Sequence, residues 1–161
     1  MDSAIRFTPI GVIRTEHGDP KTAPIQPCYA PDAPGRVELS PEYADGLNDI
    51  EGYSHLYLIY HHHRAEKKGL MVKPCLLNEE RGVFSTRVPG RPNPIGLSIV
   101  RLVSREGNIL NIKGADMLDG TPLLDIKPYS RRIDCVIGTR DGWQDTIDDA
   151  QAMHFGRQGG I

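Results

Sequence analysis

Short apolar runs follow one another along the chain and are separated by clusters of Gly, Pro, Asn and Asp. Val, Ile, Leu and aromatic residues concentrate in the ranges 5–15, 35–39, 54–63, 82–87, 94–103, 109–114 and 123–127. Apolar runs bounded by turn residues, for example at Glu106-Gly107-Asn108, are typical of strands joined by hairpins. Helical patterns are confined to a short segment that begins at Ser40-Pro41 and ends before Gly52, and to residues 144–155.

This pattern predicts a mainly β protein, most simply a small single-domain β-barrel or strongly curved sheet with one or two short helices. A doubly wound α/β fold is disfavoured because the strands do not alternate with helices of roughly 10–15 residues. We expect one domain over residues 1–155, followed by a loose tail over residues 156–161.

Composition and cysteine content narrow the class of protein. The 161 residues are 39% hydrophobic and 25% charged, which is typical of a globular protein with a core of its own. No apolar run approaches the roughly 20 residues of a membrane span, and the N-terminus lacks the features of a signal peptide. Three widely spaced cysteines without a Cys-x-x-Cys pair favour a reduced, cytoplasmic setting and argue against a thiolate zinc site.

Positive charge is concentrated in one part of an otherwise slightly acidic chain. The net charge is −2, yet residues 81–105 contain five arginines and no Asp or Glu. A basic stripe of this kind is compatible with a nucleic-acid or phosphate partner. The alternative is a solvated strand face whose charge is balanced by acidic residues next to it in the sequence.

The segment from Gly82 to Gly96 is rich in proline between two apolar runs. Its three prolines fix φ and restrict the residues before them, so the loop is expected to be stiff. Such a loop would hold Arg87, Arg91 and Asn93 in defined positions, as binding and catalytic loops do. The alternative is an ordinary Pro-rich connection.

The run His61-His62-His63 does not have the pattern of a metal site. Neighbouring side chains on a strand face opposite ways, so three adjacent histidines cannot all bind one metal from a regular strand. We therefore predict no metal. The interpretations left are that the strand ends there or that the rings line a polar pocket.

The turn Asp119-Gly120-Thr121-Pro122 is the second candidate for chemistry. Asp and Gly are common in turns for reasons of backbone geometry alone. Alternatively, the carboxylates of Asp116, Asp119 and Asp125 and the carbonyls of this stretch receive polar groups of a ligand, with Lys127 and Tyr129 offering a cation and a stacking ring nearby.

These motifs together resemble the TsaA-like (TrmO-like) family. The resemblance rests on the stretch from Gly82 to Ser98, on Asp119 to Tyr129, and on weaker pieces at Ile10–Arg14, Gly35–Leu39 and Gly52–Tyr57. It implies an S-adenosylmethionine-dependent tRNA methyltransferase that methylates N6 of the threonylcarbamoyl-modified adenosine (t6A) next to the anticodon. It also implies a β-barrel homodimer, unlike the Rossmann-like methyltransferases.

The resemblance assigns site residues position by position. The residues implied to bind the cofactor are Gln26, Pro27, His62, His63, Arg87, Gly96, Leu97, Asp119, Gly120, Thr121 and Pro122. Residues on the tRNA side are Arg91, Arg101, Lys127, Tyr129, Arg131 and Arg132, since guanidinium groups make forked contacts with phosphate. Asn93 is the candidate catalytic residue, as a hydrogen-bond acceptor for the target amine.

Some positions depart from the family pattern. Cys28 replaces the Gly of a Gln-Pro-Gly element, Val88 replaces a Ser, and Gly90 stands where a larger residue is common. Longer members of the family also carry an additional C-terminal domain. Two further functions therefore stay open: a methyltransferase of the same fold that acts on a small molecule, and a non-catalytic module that binds the cofactor or RNA.

Overall fold

The strands of this protein form one closed barrel and one small accessory sheet. The computed structural model describes residues 4–157. Within that range the strands are β1 (Gly11–Thr15), β2 (Pro34–Leu39), β3 (His55–His61), β4 (Met71–Val72), β5 (Arg81–Gly82), β6 (Ile95–Glu106), β7 (Ile109–Lys113) and β8 (Thr121–Pro128). Six strands close the barrel in the order β1-β2-β7-β6-β3-β8, and β4 pairs with β5 beside it.

Helices are few and short, as the sequence predicts. The α-helices are α1 (Arg131–Asp134) and α2 (Asp149–Arg157), and 3₁₀ turns cover Pro27–Tyr29, Pro41–Leu47, Ile50–Gly52, Val83–Ser85 and Gly142–Thr146. The prediction of a mainly β barrel with few helices is therefore confirmed. No helix within residues 4–157 has the length and apolar character that crossing a membrane requires.

The barrel interior is filled by alternate residues of each strand. Leu56, Leu58 and Tyr60 of β3 are at most 3% exposed, while the residues between them face outwards. The same period of two places Val100 of β6 and Leu123 of β8 in the core. Because all six strands are antiparallel and the ring closes, the barrel has no unpaired edge.

The connections at the two ends of the barrel differ in length. We call the loop end the end that carries the long connections 16–33, 62–94 and 114–120. The hairpin end carries the connection 40–54, the tight turn at Gly107-Asn108 and the start of the C-terminal segment. β3 runs seven residues from the hairpin end to the loop end, a distance of about 20 Å.

The C-terminal segment returns from the hairpin end to the loop end. The indole N–H of Trp143 donates to the carbonyl oxygen of Ser85 at 2.7 Å, and the amide of Ile25 donates to the carbonyl oxygen of Gly156 at 2.9 Å. Gly156 is buried against the ring of Tyr29, so the last turn of α2 braces the first long connection. Gly156 and Arg157 of the expected tail are the last two residues of α2, and residues 158–161 lie outside the described residues.

Several predicted element bounds are corrected by the structure. The strand predicted over 82–87 is only the two residues of β5, because Ser85 and Thr86 donate their hydroxyl hydrogens to the carbonyls of Gly82 and Val83 and form a 3₁₀ turn. The first strand begins at Gly11 rather than at residue 5.

The predicted helices are corrected as well. The helix after Ser40 is a 3₁₀ helix. The C-terminal helix divides at Asp148, whose carboxylate accepts the amide of Gln151 and so begins α2.

Candidate functional site

The residues predicted to bind the cofactor come from distant parts of the chain and meet at the loop end. Gln26 and Pro27 lie in the connection 16–33, and His62, His63 and Arg87 lie in the connection 62–94. The turn that begins at Asp119 closes the connection 114–120 and leads into β8, and Gly96 and Leu97 begin β6.

Polar contacts tie the three long connections together. The guanidinium of Arg87 donates to the side-chain oxygen of Gln26 at 3.0 Å, which joins the Pro-rich loop to the first connection. The guanidinium of Arg64 donates to the carbonyl oxygen of Gly18 at 2.7 Å. The ring of His17 contacts the carbonyl oxygen of Ala115 at 3.0 Å, which links the first connection to the third. The loop end is therefore held as one unit.

The turn at Asp119 is fixed to the barrel. One carboxylate oxygen of Asp119 accepts the backbone N–H of Thr15 at 3.1 Å, and the other lies 3.8 Å from the guanidinium of Arg14. Gly120 has φ +77°, a conformation that glycine adopts without strain. Thr121 donates its hydroxyl to the carbonyl oxygen of Leu118 at 2.7 Å. The carboxylate thus has a structural partner and is still half exposed towards the loops.

The three histidines of the run differ in burial and in their neighbours. β3 ends at His61, and His62 is partly buried with its ring 5.1 Å from that of Tyr60. Burial lowers the pKa of His62 to about 4, so this ring is neutral at physiological pH. Burial also lowers the pKa of His63, whose ring nitrogen lies 3.5 Å from the hydroxyl of Thr121. Across residues 4–157 no cluster of His, Cys, Asp and Glu is arranged to hold a metal ion.

Gly96 and Leu97 face opposite sides of the barrel wall. Gly96 is buried because the ring of Tyr60 lies directly against its Cα, where a side chain would collide with the ring. Leu97 points outwards and is 44% exposed. Within one chain, Gly96 therefore faces the interior of the loop end, whereas Leu97 lies on the outer surface of the barrel.

The Pro-rich loop holds Arg91 and leaves Asn93 exposed. The guanidinium of Arg91 donates to the carbonyl oxygen of Thr86 at 3.0 Å and so closes the loop on itself. Gly90 is buried, and a side chain there would collide with the carbonyl oxygen of Glu66. That close approach explains a glycine where larger residues are common, and it fits the predicted stiffness of the loop.

Most residues predicted to contact tRNA lie away from the loop end. Lys127, Tyr129, Arg131 and Arg132 are at or beyond the end of β8, on the hairpin end. Lys127 is paired with Asp125 at 2.9 Å. Arg101 is exposed on β6, six residues from its start and about 20 Å along the strand. Of the predicted tRNA contacts, Arg91 is the one at the loop end.

The arginine-rich stretch does not form one continuous basic face. Arg81 is paired with Glu79 at 2.8 Å, and Arg105 donates to the carbonyl oxygen of Leu47 and lies 3.6 Å from Glu51. These two arginines therefore serve the local structure. The expected balance by acidic residues next in the sequence holds for Arg81, whereas the carboxylate near Arg105 is that of Glu51, far away in the sequence. Arg87 and Arg91 remain at the loop end.

Tyr60 and Ser98, which the sequence did not mark as candidates, form a buried polar chain with Asp116 under the loop end. The hydroxyl of Tyr60 lies 2.9 Å from that of Ser98, which donates to the carboxylate of Asp116 at 2.7 Å. All three are at most 9% exposed. The available signal was a polar residue at an inward position of each strand, Tyr60 in β3 and Ser98 in β6, among otherwise apolar inward neighbours.

The hairpin end has an open cavity of its own. It measures about 590 Å³, and its walls include Tyr43, Tyr53 and Ile126. No residue predicted to bind the cofactor lines it, so it is separate from the cluster at the loop end.

Comparison with known families identifies the chain. The family described as the tRNA-methyltransferase O N-terminal domain matches residues 12–135. The chain belongs to this family. That range includes all the strands of the barrel except the first residue of β1, and the predicted membership of the TrmO-like family is thereby confirmed.

Relatives of this TrmO-family chain include proteins of different lengths. A probable S-adenosyl-L-methionine-binding protein of Pyrococcus abyssi is 55% identical over 139 residues, which are 86% of this chain and 76% of that protein. The tRNA (adenine(37)-N6)-methyltransferase of Escherichia coli is 38% identical over 137 residues, 79% of this chain and 58% of that enzyme. The crystal structure of TrmO from Pseudomonas aeruginosa superposes with a TM-score of 0.73 at 39% identity. The match covers 87% of this chain and 62% of that one, so this chain spans less than two thirds of the solved TrmO.

Proposed function

We propose that this chain is an S-adenosylmethionine-dependent tRNA methyltransferase that methylates N6 of t6A next to the anticodon. The observation that carries the proposal is the convergence at the loop end of residues that lie as far apart in sequence as Gln26 and Pro122. The names of the relatives support the same activity, since one is a probable S-adenosyl-L-methionine-binding protein and another is a tRNA methyltransferase. A tRNA substrate also makes the cytoplasm the expected location.

The side chains at the loop end suit the chemistry of the cofactor. S-adenosylmethionine has a carboxylate, an ammonium group, ribose hydroxyls and an adenine ring. The guanidinium of Arg87 suits the carboxylate, and the half-exposed carboxylate of Asp119 suits an ammonium or hydroxyl group. The neutral ring of His62 offers a weakly polar surface beside Tyr60 for the adenine. When bound, the cofactor would supply an electrophilic methyl group.

The protein's part in the reaction is to position the two reactants and to exclude water. A methyl group on a sulfonium needs no further activation, so the target nitrogen must be held in line with it. The exposed Asn93, in a loop that Arg91 closes, is placed to meet an incoming substrate. Its side-chain oxygen would accept a hydrogen bond from the substrate and so help to hold the target nitrogen in position.

A homodimer is part of the proposal because, within one chain, most of the predicted tRNA contacts lie far from the residues predicted to bind the cofactor. Ile95, Leu97, Ile99 and Val103 project from the outer face of β6 and are 41–54% exposed. We call these four residues the β6 stripe. An apolar stripe on a strand face, here interrupted by the exposed Arg101 between Ile99 and Val103, is typical of a subunit contact. A second copy packed there would cover Leu97 and bring its own arginines near this chain's loop end.

The enzyme is tested by incubation of the purified chain with labelled S-adenosylmethionine and total tRNA, followed by mass spectrometry of the nucleosides. Methyl label on t6A is the expected result. Label on other nucleosides would refute the proposed substrate. Cofactor binding without label in any RNA would favour the small-molecule methyltransferase or the non-catalytic module. These two alternative functions stay open because most of the predicted tRNA contacts lie away from the loop end.

The dimer is tested by sedimentation of the wild type and of Ile99→Lys, which places a charge in the middle of the β6 stripe. The expected result is a dimeric wild type and a monomeric variant with an unchanged circular dichroism spectrum. A monomeric wild type at micromolar concentration would refute this part of the proposal. Tyr43→Lys, on the exposed surface of the hairpin end, is the matched control.

A further inference from the structure

A carboxyl group is buried beneath the loop end with little to compensate its charge. Asp116 is 9% exposed, and the hydroxyl of Ser98 donates to its Oδ1 at 2.7 Å. Among residues 4–157 no cation forms an ion pair with Asp116. Holding an ionised carboxylate away from water with a single neutral side-chain donor is costly. A buried carboxyl of this kind beneath a cluster of binding residues is therefore a candidate for chemistry.

The hydrogen bonds around Asp116 run in one direction. An ionised carboxylate only accepts, so Ser98 must spend its one hydroxyl hydrogen on Asp116. The hydroxyl of Tyr60, 2.9 Å from that of Ser98, must then be the donor to Ser98. Burial raises the pKa of Tyr60 far above its usual range, so this phenol keeps its proton. Two hydroxyls on rigid strands thus orient the carboxylate.

Charged and titratable groups face Asp116 from each of the neighbouring elements. Arg87 of the Pro-rich loop stabilises the negative charge of Asp116, and that charge helps to raise the pKa of Cys28 in the first connection. Tyr60 faces it from β3, and the ring of His17 contacts the adjoining Ala115. Burial raises the pKa of Asp116 to about 7, against the opposing effects of the Ser98 hydrogen bond, its own backbone N–H and Arg87.

We propose that Asp116 is the proton acceptor of the methyl transfer, and that Ser98 and Tyr60 are its positioning residues. The assignment rests on the proposed function. The lone pair of the acceptor nitrogen forms the new N–CH₃ bond while the S–CH₃ bond breaks and its electron pair stays on sulfur, which becomes a neutral thioether. The proton of the nitrogen passes to the carboxylate of Asp116. N6 of t6A carries a single hydrogen, which goes to Asp116 in this scheme. Asn93 therefore holds the substrate through the neighbouring carbamoyl group, and its amide oxygen is not a base near neutral pH.

The direct test is the pH dependence of kcat for the wild type and for Asp116→Asn, with the exposed Asp45→Asn as the matched control. The wild type is expected to gain activity as pH rises through about 7, because Asp116 must lose its proton before it can accept another. Asp116→Asn is expected to lose about 100- to 10,000-fold in kcat, with a flat profile and nearly unchanged cofactor affinity. Asp45→Asn is expected to behave as the wild type.

Two measurements do not depend on turnover. In carbon-13 NMR of the protein without cofactor, one aspartate carboxyl is expected to titrate near pH 7 and to be missing from Asp116→Asn. At pH 8, Asp116→Asn is also expected to melt at or above the temperature of the wild type, since a buried charge has been removed. A carboxyl that titrates near pH 4 would overturn the assignment, and a variant that melts well below the wild type would leave the decision to Ser98→Ala.

Ser98→Ala separates positioning from mere packing. The hydroxyl of Ser98 favours the ionised carboxylate, so its loss is expected to move the midpoint of the kcat profile to higher pH while activity at pH 9 is largely retained. This variant decides the question if Asp116→Asn does not fold, and an unmoved midpoint would overturn the assignment.

The remaining outcomes distinguish this proposal from the proposed function. An active Asp116→Asn in an assay where the wild type transfers methyl groups would overturn the assignment alone. A variant that loses cofactor affinity but keeps kcat at saturating cofactor would make Asp116 a cofactor contact instead. A wild type that binds the cofactor and methylates no acceptor would overturn both proposals.

Discussion

Replacement of Gly96 by alanine tests how tightly the interior of the loop end is packed. A Cβ on Gly96 would lie 2.7 Å from Cδ2 of Tyr60 and closer still to Cε2 and Cζ. Carbon atoms in contact are normally about 3.5–4.0 Å apart, so the nearest ring atoms must retreat by more than ~1 Å. Tyr60 is 3% exposed and its hydroxyl is held 2.9 Å from Ser98, so the ring cannot retreat without disturbing that hydrogen bond.

The expected cost of Gly96→Ala is the sum of two effects. Overpacking a core costs about 1–3 kcal/mol, and a lost hydrogen bond adds about 1 kcal/mol. The free energy of unfolding should therefore fall by about 2–4 kcal/mol. For a domain of this size the melting temperature should fall by roughly 2–4 °C for each kcal/mol, or about 5–15 °C in all.

Urea unfolding followed by the fluorescence of the single tryptophan, together with thermal melts by circular dichroism, measures the loss. Gly46→Ala is the matched control because a Cβ there would meet no atom within 4 Å. In a Tyr60→Leu background, which removes Cε2 and Cζ, the same Gly96→Ala change should cost less than about 1 kcal/mol. A single variant as stable as the wild type, or a cost that persists without the tyrosine ring, would refute the collision as the cause.

Three further predictions concern the other residues of the loop end. The pKa of His62 is about 4 in the folded protein, below its unfolded value, so the native state should lose up to roughly 3 kcal/mol of stability as pH falls from about 6.5 to 4. In denaturant melts His62→Asn should lose less stability across that pH window, and an equal loss would argue against a buried neutral ring. S-adenosylhomocysteine should slow alkylation of Cys28 by iodoacetamide but leave the other two cysteines unaffected, as peptide mass spectrometry would report, and equal rates with and without the ligand would place the cofactor elsewhere. Asp119→Ala should weaken cofactor binding in calorimetric titration while the protein stays folded; because Asp119 also accepts the amide of Thr15, Asp119→Asn is the sharper variant, and unchanged affinity in both would remove this residue from the site.

The amino-acid sequence by itself determined the class of fold. Alternation of apolar residues and turn clusters at hairpin spacing predict a mainly β barrel, and the six barrel strands lie where apolar runs were found. Local signals of this kind work because a strand side chain faces the core at every second position. The predicted strand bounds were wrong where side chains compete with the backbone for hydrogen bonds. Ser85 and Thr86 are an example, because their hydroxyls turn a predicted strand into a 3₁₀ turn.

The family motifs in the sequence also indicated which residues to watch at the candidate site, from Gln26 to Pro122. They could not indicate which of Gly96 and Leu97 faces the interior, or that Lys127 and the arginines after it lie at the other end of the barrel. Those facts depend on strand direction and on barrel closure, which local sequence does not encode.

The chain of Tyr60, Ser98 and Asp116 was decided by the tertiary structure alone. Its members are 38 and 18 residues apart along the chain, and nothing in the sequence connects the carboxylate of Asp116 with Tyr60 or Ser98. Pairing of β3 with β6 aligns Tyr60 with Gly96, which leaves room for the ring, and closure of the barrel brings the third connection over Ser98. A carboxyl group acquires its proton affinity from the groups around it, and only the folded chain determines which groups those are.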